Sequence, residues 1–253
     1  MIQIKSQQEV EIMREGGNIL AKILKKLTKA VKPGVTTKYL DKLAEELVFK
    51  FGARSSFLNY NGYPAVLCTS INNEIVHGVP SDRKLQKGDL LKLDMGVLWK
   101  GFHTDSAVTV LVGGGLSLNK NILLKKKLIK VTSEALAIGI KQARSGTTIG
   151  DVGSAIQKYV EKAGFNLVRD LVGHGIGREL HEPPQVPNYG KAGEGEKLEP
   201  GMVIAIEPMV VSGDWKTKEG PDRFVFQTKD GGLAAHFEHT IAITEKGPLV
   251  LTR

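Results

Sequence analysis

Four acids and a histidine stand where the chain is otherwise apolar. Asp94 follows Leu90-Leu91-Lys92-Leu93 and Glu207 follows Met202-Val203-Ile204-Ala205-Ile206, so each is expected to end a segment that reads as a buried strand. Asp105 precedes Ser106-Ala107-Val108-Thr109-Val110 and Glu238 precedes His239-Thr240-Ile241-Ala242-Ile243, so each of these is expected to open the next strand. A carboxylate buried there must be met by hydrogen bonds, a cationic partner, protonation or a metal. Any one of the four alone reads equally well as a strand-end cap or a salt-bridge partner. Four brought together would place like charges side by side, an arrangement that a cation relieves.

His174 lies in Leu171-Val172-Gly173-His174-Gly175-Ile176-Gly177, an apolar stretch whose glycines let the backbone crowd a small site. Beside four converging acids, one imidazole completes an oxygen-rich donor set. Such a set suits two divalent transition ions, Mn, Fe(II), Co or Zn, better than a thiolate-type zinc site. Other catalytic templates fail. There is no Gly-x-Ser-x-Gly elbow, no nucleophile motif surrounds Cys68, and the glycines at 173, 175 and 177 lack the GxGxxG register and the P-loop lysine. Hydrolysis by metal-activated water remains.

The elements that must position these groups come in two similar sets. Apolar residues Val10, Met13, Leu20, Leu24, Leu27 and Val31 recur at helical spacing from about Glu9 to Val31, and Lys32-Pro33-Gly34 ends the run. A second helix is expected from about Thr37 to Phe51, stopped by Gly52. Extended segments follow at Asp89 to Val97 and Asp105 to Val112, bounded by Gly88, Gly101 and Gly113-Gly114-Gly115. The order then repeats: helices from about Asn119 to Ala143 and from Ile149 to Ala163, the latter opened by a capping-box pattern in Thr148 and Asp151, then strands again.

Single residues match as well. Pro33-Gly34-Val35-Thr36-Thr37 is similar to Ser145-Gly146-Thr147-Thr148, and Lys87-Gly88-Asp89-Leu90-Leu91-Lys92-Leu93-Asp94 to Pro200-Gly201-Met202-Val203-Ile204-Ala205-Ile206-Glu207. The first match has an offset of 112 residues (34 to 146) and the second of 113 (94 to 207). This predicts one catalytic domain over residues 1–253, built by internal duplication of roughly 1–115 and 119–253. The fold class is α+β: two helix-helix-strand halves related by a pseudo-twofold, their sheets side by side as a central antiparallel-rich sheet with helices on one face.

A chain of 253 residues, 41% hydrophobic and 25% charged, can bury a full core. Cys68 is the sole cysteine, so an internal disulfide is excluded and a reducing compartment, the cytoplasm, is expected. Neither a signal-peptide stretch nor a membrane span is visible. The net charge of +8 sits largely in lysines such as Lys25-Lys26 and Lys125-Lys126-Lys127. No aromatic stacking platform accompanies them, so solvated helix faces are the simpler reading; specific DNA binding is not expected, and a weak ribosome contact stays open.

Gly173-His174-Gly175-Ile176-Gly177-Arg178-Glu179-Leu180-His181-Glu182, followed by Pro184-Gln185-Val186 and Asn188-Tyr189, resembles the signature of the type I methionine aminopeptidases. Leu198-Glu199-Pro200-Gly201-Met202 through Ile206-Glu207-Pro208-Met209 resembles its partner motif, and Asp94, Asp105 and Phe237-Glu238-His239-Thr240 fall in the same order. The resemblance covers essentially the whole chain. It implies the pita-bread fold and removal of initiator methionine from nascent polypeptides with a small second residue, by a monomer. It also implies a ligand set: Asp105 and Glu238 bridging two metals, Asp94 completing one site, His174 and Glu207 the other, and a metal-bridging hydroxide as nucleophile.

By the same resemblance Glu207 shuttles the proton to the leaving amine, His181 stabilises the oxyanion, and His77 hydrogen-bonds the scissile amide or the residue after it. Phe57, Tyr60, Tyr63 and Cys68 would wall the methionine pocket. Two wall positions depart from the commonest pattern: Leu180 stands where many members have Phe, and Phe224 where a Trp is usual, with Trp215 nearby but out of register. Related peptidases acting on X-Pro bonds usually carry an additional N-terminal domain, for which this chain is too short. Catalytically dead relatives serving as binding modules tend to lose ligands, and here all five positions are filled.

Overall fold

The computed structural model describes residues 2–114 and 119–253; Met1 and Gly115, the latter placed above at the end of the first half, lie outside the described residues. Helix α1 spans Gln7–Ala30 and starts two residues earlier than its apolar period suggests. Ser6 explains the difference: its Oγ accepts from Glu9 N, and Glu9 Oε2 accepts from Ser6 N at 2.8 Å, a reciprocal cap that satisfies two orphan donors. Helix α2 spans Thr37–Lys50, α3 Lys120–Gln142 and α4 Ile149–Lys162, within a residue of the expected ends. Thr36 caps α2, and Thr148 with Asp151 forms the expected box on α4.

Nine of the strands form the central antiparallel sheet, in which the sheets of the two halves are joined into one, and two three-stranded sheets lie apart from it. Its path runs Arg54–Ser55, Leu90–Trp99, Phe102–Leu111, Glu238–Thr244, Val203–Ile206, Gly173–Gly175, Glu182–Val186, with Cys68–Ile71 also on Leu90–Trp99 and Gly247–Val250 on Glu238–Thr244. The half-sheets fuse where Glu238 pairs with Ala107 and His239 with Ser106, all antiparallel. The pseudo-twofold therefore falls between Phe102–Leu111 and Glu238–Thr244. Helices α1 and α2 bury Met13, Leu20, Leu24, Leu27, Leu40 and Leu47 in one core cluster. A second cluster gathers Leu128, Val131, Val152 and Ile156 from α3 and α4.

The repeat has matching local geometry. Thr36 bridges Lys84 as Thr148 bridges Lys197. Gly34 N donates to Leu85 O at 2.8 Å as Gly146 N does to Leu198 O at 2.9 Å. Gly88 and Gly201, which lead into the paired strands, have φ of 91° and 88°, a conformation that disfavours any side chain.

Two expectations about the strands need correction. Asp94 does not end its strand, and Asp105 does not open the next. Asp94 is the fifth residue of Leu90–Trp99 and Asp105 the fourth of Phe102–Leu111. The cause is a two-residue turn at Lys100-Gly101, both at positive φ (48° and 86°), which closes a hairpin paired from Leu90↔Leu111 to Trp99↔Phe102. In the other half Glu207 directly follows Val203–Ile206 and Glu238 opens its strand.

Candidate active site

The register aligns the acids. Asp94 lies opposite Ala107, and Ala107 opposite Glu238, so the three form a row across three strands. Asp105, two residues before Ala107, falls on the same face by the period of two, and Glu207 reaches the row from the end of the next strand. Asp94, Asp105, His174, Glu207 and Glu238 all line one cavity of about 620 Å³. Asp105, His174 and Glu238 each present a donor atom within 4.8 Å of the others, and His174 Nε2 lies 3.7 Å from Glu207 Oε1.

These groups are held by the backbone and by small hydroxyls. Thr240 Oγ1 accepts from Asp105 N at 2.9 Å and donates to Asp105 O at 2.8 Å. Ser106 N donates to Asp105 Oδ1, and Ser106 Oγ donates to Glu238 O. His174 sits between Gly173 and Gly175, where a Cβ would come within 2.4 Å of Ala205 O and 2.2 Å of Pro183 O respectively. Only glycines let those backbones meet.

Electrostatically the site is unbalanced without a cation. Burial, then the charges of Asp105 and Glu207, holds Asp94 well above the usual carboxylate range. Burial lifts Glu207 and Glu238 likewise and pushes Asp105 up to about 7. Asp94 Oδ1 is buried with no hydrogen-bond partner. His174 Nδ1 donates to Gly175 O at 2.8 Å, so its Nε2 turns a lone pair toward the acids, and burial lowers its pKa to about 3. A lone pair facing carboxylate oxygens suits a divalent cation, and His174 already has the outer hydrogen bond that fixes a metal-binding tautomer. The donor set fits the group that the resemblance implies.

The remaining predicted residues line the same cavity: Phe57, Tyr60, Tyr63, Cys68, His77, Leu180, His181 and Phe224. His181 Nδ1 is 2.7 Å from Tyr60 Oη. With the phenol donating, Nε2–H of His181 is left as a donor, and burial lowers its pKa. His77 opens to the cleft at φ 59°, its ring edge-on to Phe226 at 5.9 Å, and desolvation by the surrounding wall lowers its pKa to about 4. It is carried there by an unanticipated small sheet in which Glu74–Val76 pairs with Phe226–Thr228. Tyr63 meets Phe57 edge-on at 6.5 Å and Phe224 at 5.4 Å, and donates from its hydroxyl toward Leu67 O and Gly78 O. Trp215 stacks instead on Arg169, away from the cavity lining.

Several participants escaped the sequence reading. Tyr60 was expected only as a wall, yet it orients His181. Buried Lys5 pairs with Glu182, whose Oε1 accepts from Arg178 N and Glu179 N and so shapes the loop bearing His181. His236, 1% exposed, puts Nε2 3.5 Å from Glu207 Oε2. Its spacing of two residues from Glu238 was the available signal. Lys5 and Tyr60 had none, because their partners are 177 and 121 residues away.

A model of metallopeptidase family M24 matches residues 11–245. The methionine aminopeptidase of Clostridium acetobutylicum is 47% identical over 253 residues, covering 100% of this chain and 99% of its own. The crystal structure of methionine aminopeptidase from Rickettsia prowazekii superposes with a TM-score of 0.96 at 38% identity, covering all of both chains. The prolidase from Pyrococcus horikoshii OT3 shares the pita-bread fold at a TM-score of 0.77 and 26% identity, and 63% of that chain is covered. By full-length identity, shared fold and the M24 match, the chain belongs to metallopeptidase family M24 and, within it, to the methionine aminopeptidases.

Proposed function

We infer that this enzyme is a metallo-aminopeptidase that removes the N-terminal methionine of peptides and nascent proteins when the second residue is small. The observation that carries the reading is the convergence of four acids, three buried and Glu207 partly so, and the Nε2 of His174 on a cleft that also holds a pocket walled by Phe57, Tyr63, Cys68, Leu180 and Phe224. Asp94, Asp105, His174, Glu207 and Glu238 would hold two divalent ions. Divalent ions there would neutralise the acids and act as Lewis acids, lowering the pKa of water from 15.7 to about 7.

The chain's own side chains supply the rest. Glu207 takes a proton from the attacking water and returns it to the leaving amine as the C–N bond breaks. The Nε2–H of His181, held by the Tyr60 phenol, meets the carbonyl oxygen as it gains charge, and His77 hydrogen-bonds the scissile amide. The pocket takes the thioether out of water, worth roughly 1.5–3 kcal/mol. We place the enzyme in the cytoplasm as a monomer using Mn, Fe(II) or Co, with Zn as a further candidate, and a weak ribosome contact as an optional partner.

The deciding assay compares release of free methionine from a peptide beginning Met-Gly with cleavage of an X-Pro peptide, alongside metal content per chain. Methionine release with bound divalent metal is expected. Preferential X-Pro cleavage would move the enzyme to the prolidase branch, and full activity in metal-free protein would remove the metal reading.

A further inference from the structure

His236 belongs to none of the roles assigned so far. It is not among the residues that line the cavity. Its ring is 1% exposed and both ring nitrogens lack a hydrogen-bond partner. Its backbone is clamped: Thr109 Oγ1 donates to His236 O at 2.6 Å, and His236 N donates to Thr109 Oγ1 at 2.9 Å. Two residues earlier, buried Lys92 donates to Ala234 O at 3.2 Å and to Asn72 O at 2.9 Å. With its backbone held and its polar edge unmet, the ring places Nε2 3.5 Å from Glu207 Oε2.

Glu207 thus lies between two imidazoles. On its Oε1 side is His174, whose proton is committed to Gly175 O and whose Nε2 is a lone pair 3.7 Å away. On its Oε2 side is His236, which has no carbonyl to receive a proton from Nδ1 and can hold its N–H at Nε2. We propose that His236 is a positioning residue of the metal centre: its Nε2–H bonds Oε2 of Glu207, fixes the rotation of that carboxylate, and reserves Oε1 for the site shared with His174. Outer-layer donors of this kind orient a ligand and raise its affinity without touching the ion. The 3.5 Å separation is longer than a formed N–H···O bond, which spans about 2.7–3.2 Å, so a small rotation of the Glu207 carboxylate is what completes the contact. This inference rests on the reading of Glu207 as a metal ligand.

The test uses the Co(II)- or Mn(II)-loaded enzyme and three variants. His236→Leu and His236→Met remove the N–H while keeping an apolar volume, and His236→Gln returns an N–H near the position of Nε2. Chelator competition reads metal affinity and the visible spectrum of bound Co(II) reads ligand geometry, neither of which depends on turnover. Leu and Met are expected to weaken binding of one ion about 10- to 100-fold and to shift the Co(II) bands, with Gln within about threefold of wild type. Wild-type affinity and spectrum in the Leu or Met variant would overturn the proposal. So would a Gln variant as impaired as Leu or Met, because ring packing would then be what matters. If Leu does not fold, the Met and Gln comparison decides alone. Wild-type protein that binds neither ion would instead defeat the metal reading of Glu207, a separate failure.

Discussion

In the first half the strand Cys68–Ile71 flanks Leu90–Trp99; in the second, Gly173–Gly175 takes the corresponding place beside Val203–Ile206. The first carries Cys68, buried in the cavity wall with its thiol held well above the ordinary pKa by desolvation. The second carries His174, a neutral imidazole aimed at the acids. Each half contributes two carboxylates at the pseudo-twofold, yet the first half adds most of the aromatic wall (Phe57, Tyr60, Tyr63) with one cavity histidine, His77, and the second adds His174, His181 and His236 with one aromatic, Phe224. Central strands share a register that leaves the carboxylates nowhere else to go. Flanking strands and loops are under no such constraint and have taken different work.

The largest expected effect separates those two kinds of work. His174→Ala and Glu207→Ala should each abolish turnover, a loss exceeding the roughly 10- to 100-fold that outer-layer partners cost. Cys68→Ser should cost only a few-fold in kcat/KM, an order-of-magnitude judgement from a near-isosteric change in a pocket wall. The check is steady-state kinetics on a peptide beginning Met-Gly. If Cys68→Ser is as damaging as His174→Ala, the division between wall and chemistry is wrong; near wild-type activity in either alanine variant removes that residue from the mechanism.

Metal removal probes the centre that both halves build. Chelation should inactivate the enzyme, and Mn, Co or Fe(II) should restore it. It should also expose the repulsion among the acids. Asp105 has a folded pKa of about 7 against an ordinary 3.8, and Asp94, Glu207 and Glu238 are raised too. A raised carboxylate binds more protons folded than unfolded, so the stability it contributes is fully present below the unfolded pKa and is lost as pH rises through the folded one. Metal-free protein should therefore grow less stable between about pH 4 and pH 7, and added metal should reverse the loss at pH 7. Urea midpoints at the two pH values, with and without Mn, measure this; a flat profile without metal would mean that the acids do not meet as described.

How much of this was readable beforehand follows from the same division. The four acids and His174 were legible because strand periodicity and flanking glycines are local signals, and the nearly equal offsets of Gly34/Gly146 and Asp94/Glu207, 112 and 113 residues, disclosed the pseudo-twofold. The Lys100-Gly101 hairpin was missed because only Gly101 carries an obvious turn signature; a lysine at φ 48° does not announce itself. The fusion of the half-sheets depends on Glu238 pairing with Ala107, 131 residues apart (107 to 238), and nothing local encodes that pairing. Lys5 with Glu182 and Tyr60 with His181 escaped for the same reason.

An intermediate effect lies where the halves touch. Tyr60 comes from the first and His181 from the second, and their 2.7 Å bond leaves the imidazole one free donor. His181→Ala should lower kcat by about 10²–10³, the usual cost of a lost oxyanion donor. Tyr60→Phe keeps the ring but frees Nδ1 to take the proton, so about tenfold is expected, mostly in kcat. A Tyr60→Phe loss confined to KM would return Tyr60 to a plain wall.

The smallest effect tests whether the pocket belongs to the first half alone. Leu180 and Phe224, both from the second half, close it from the far side, and Phe224 meets the Tyr63 ring edge-on at 5.4 Å. The Phe224 backbone is fixed by Asp222, whose Oδ1 accepts from Phe224 N at 3.0 Å and from Val225 N at 2.8 Å, so a larger ring cannot swing away freely. Phe224→Trp should narrow the pocket and change selectivity between peptides beginning Met-Gly and Leu-Gly by about tenfold, the lower end of what one methylene is worth in a hydrophobic site. Turnover of the Met-Gly peptide should hold, because Phe224 is tied to the wall and not to the acids. A collapse of kcat with selectivity unchanged would instead mean that the second half reaches the chemistry through its wall residues as well, and the separation of roles would stop at the flanking strands.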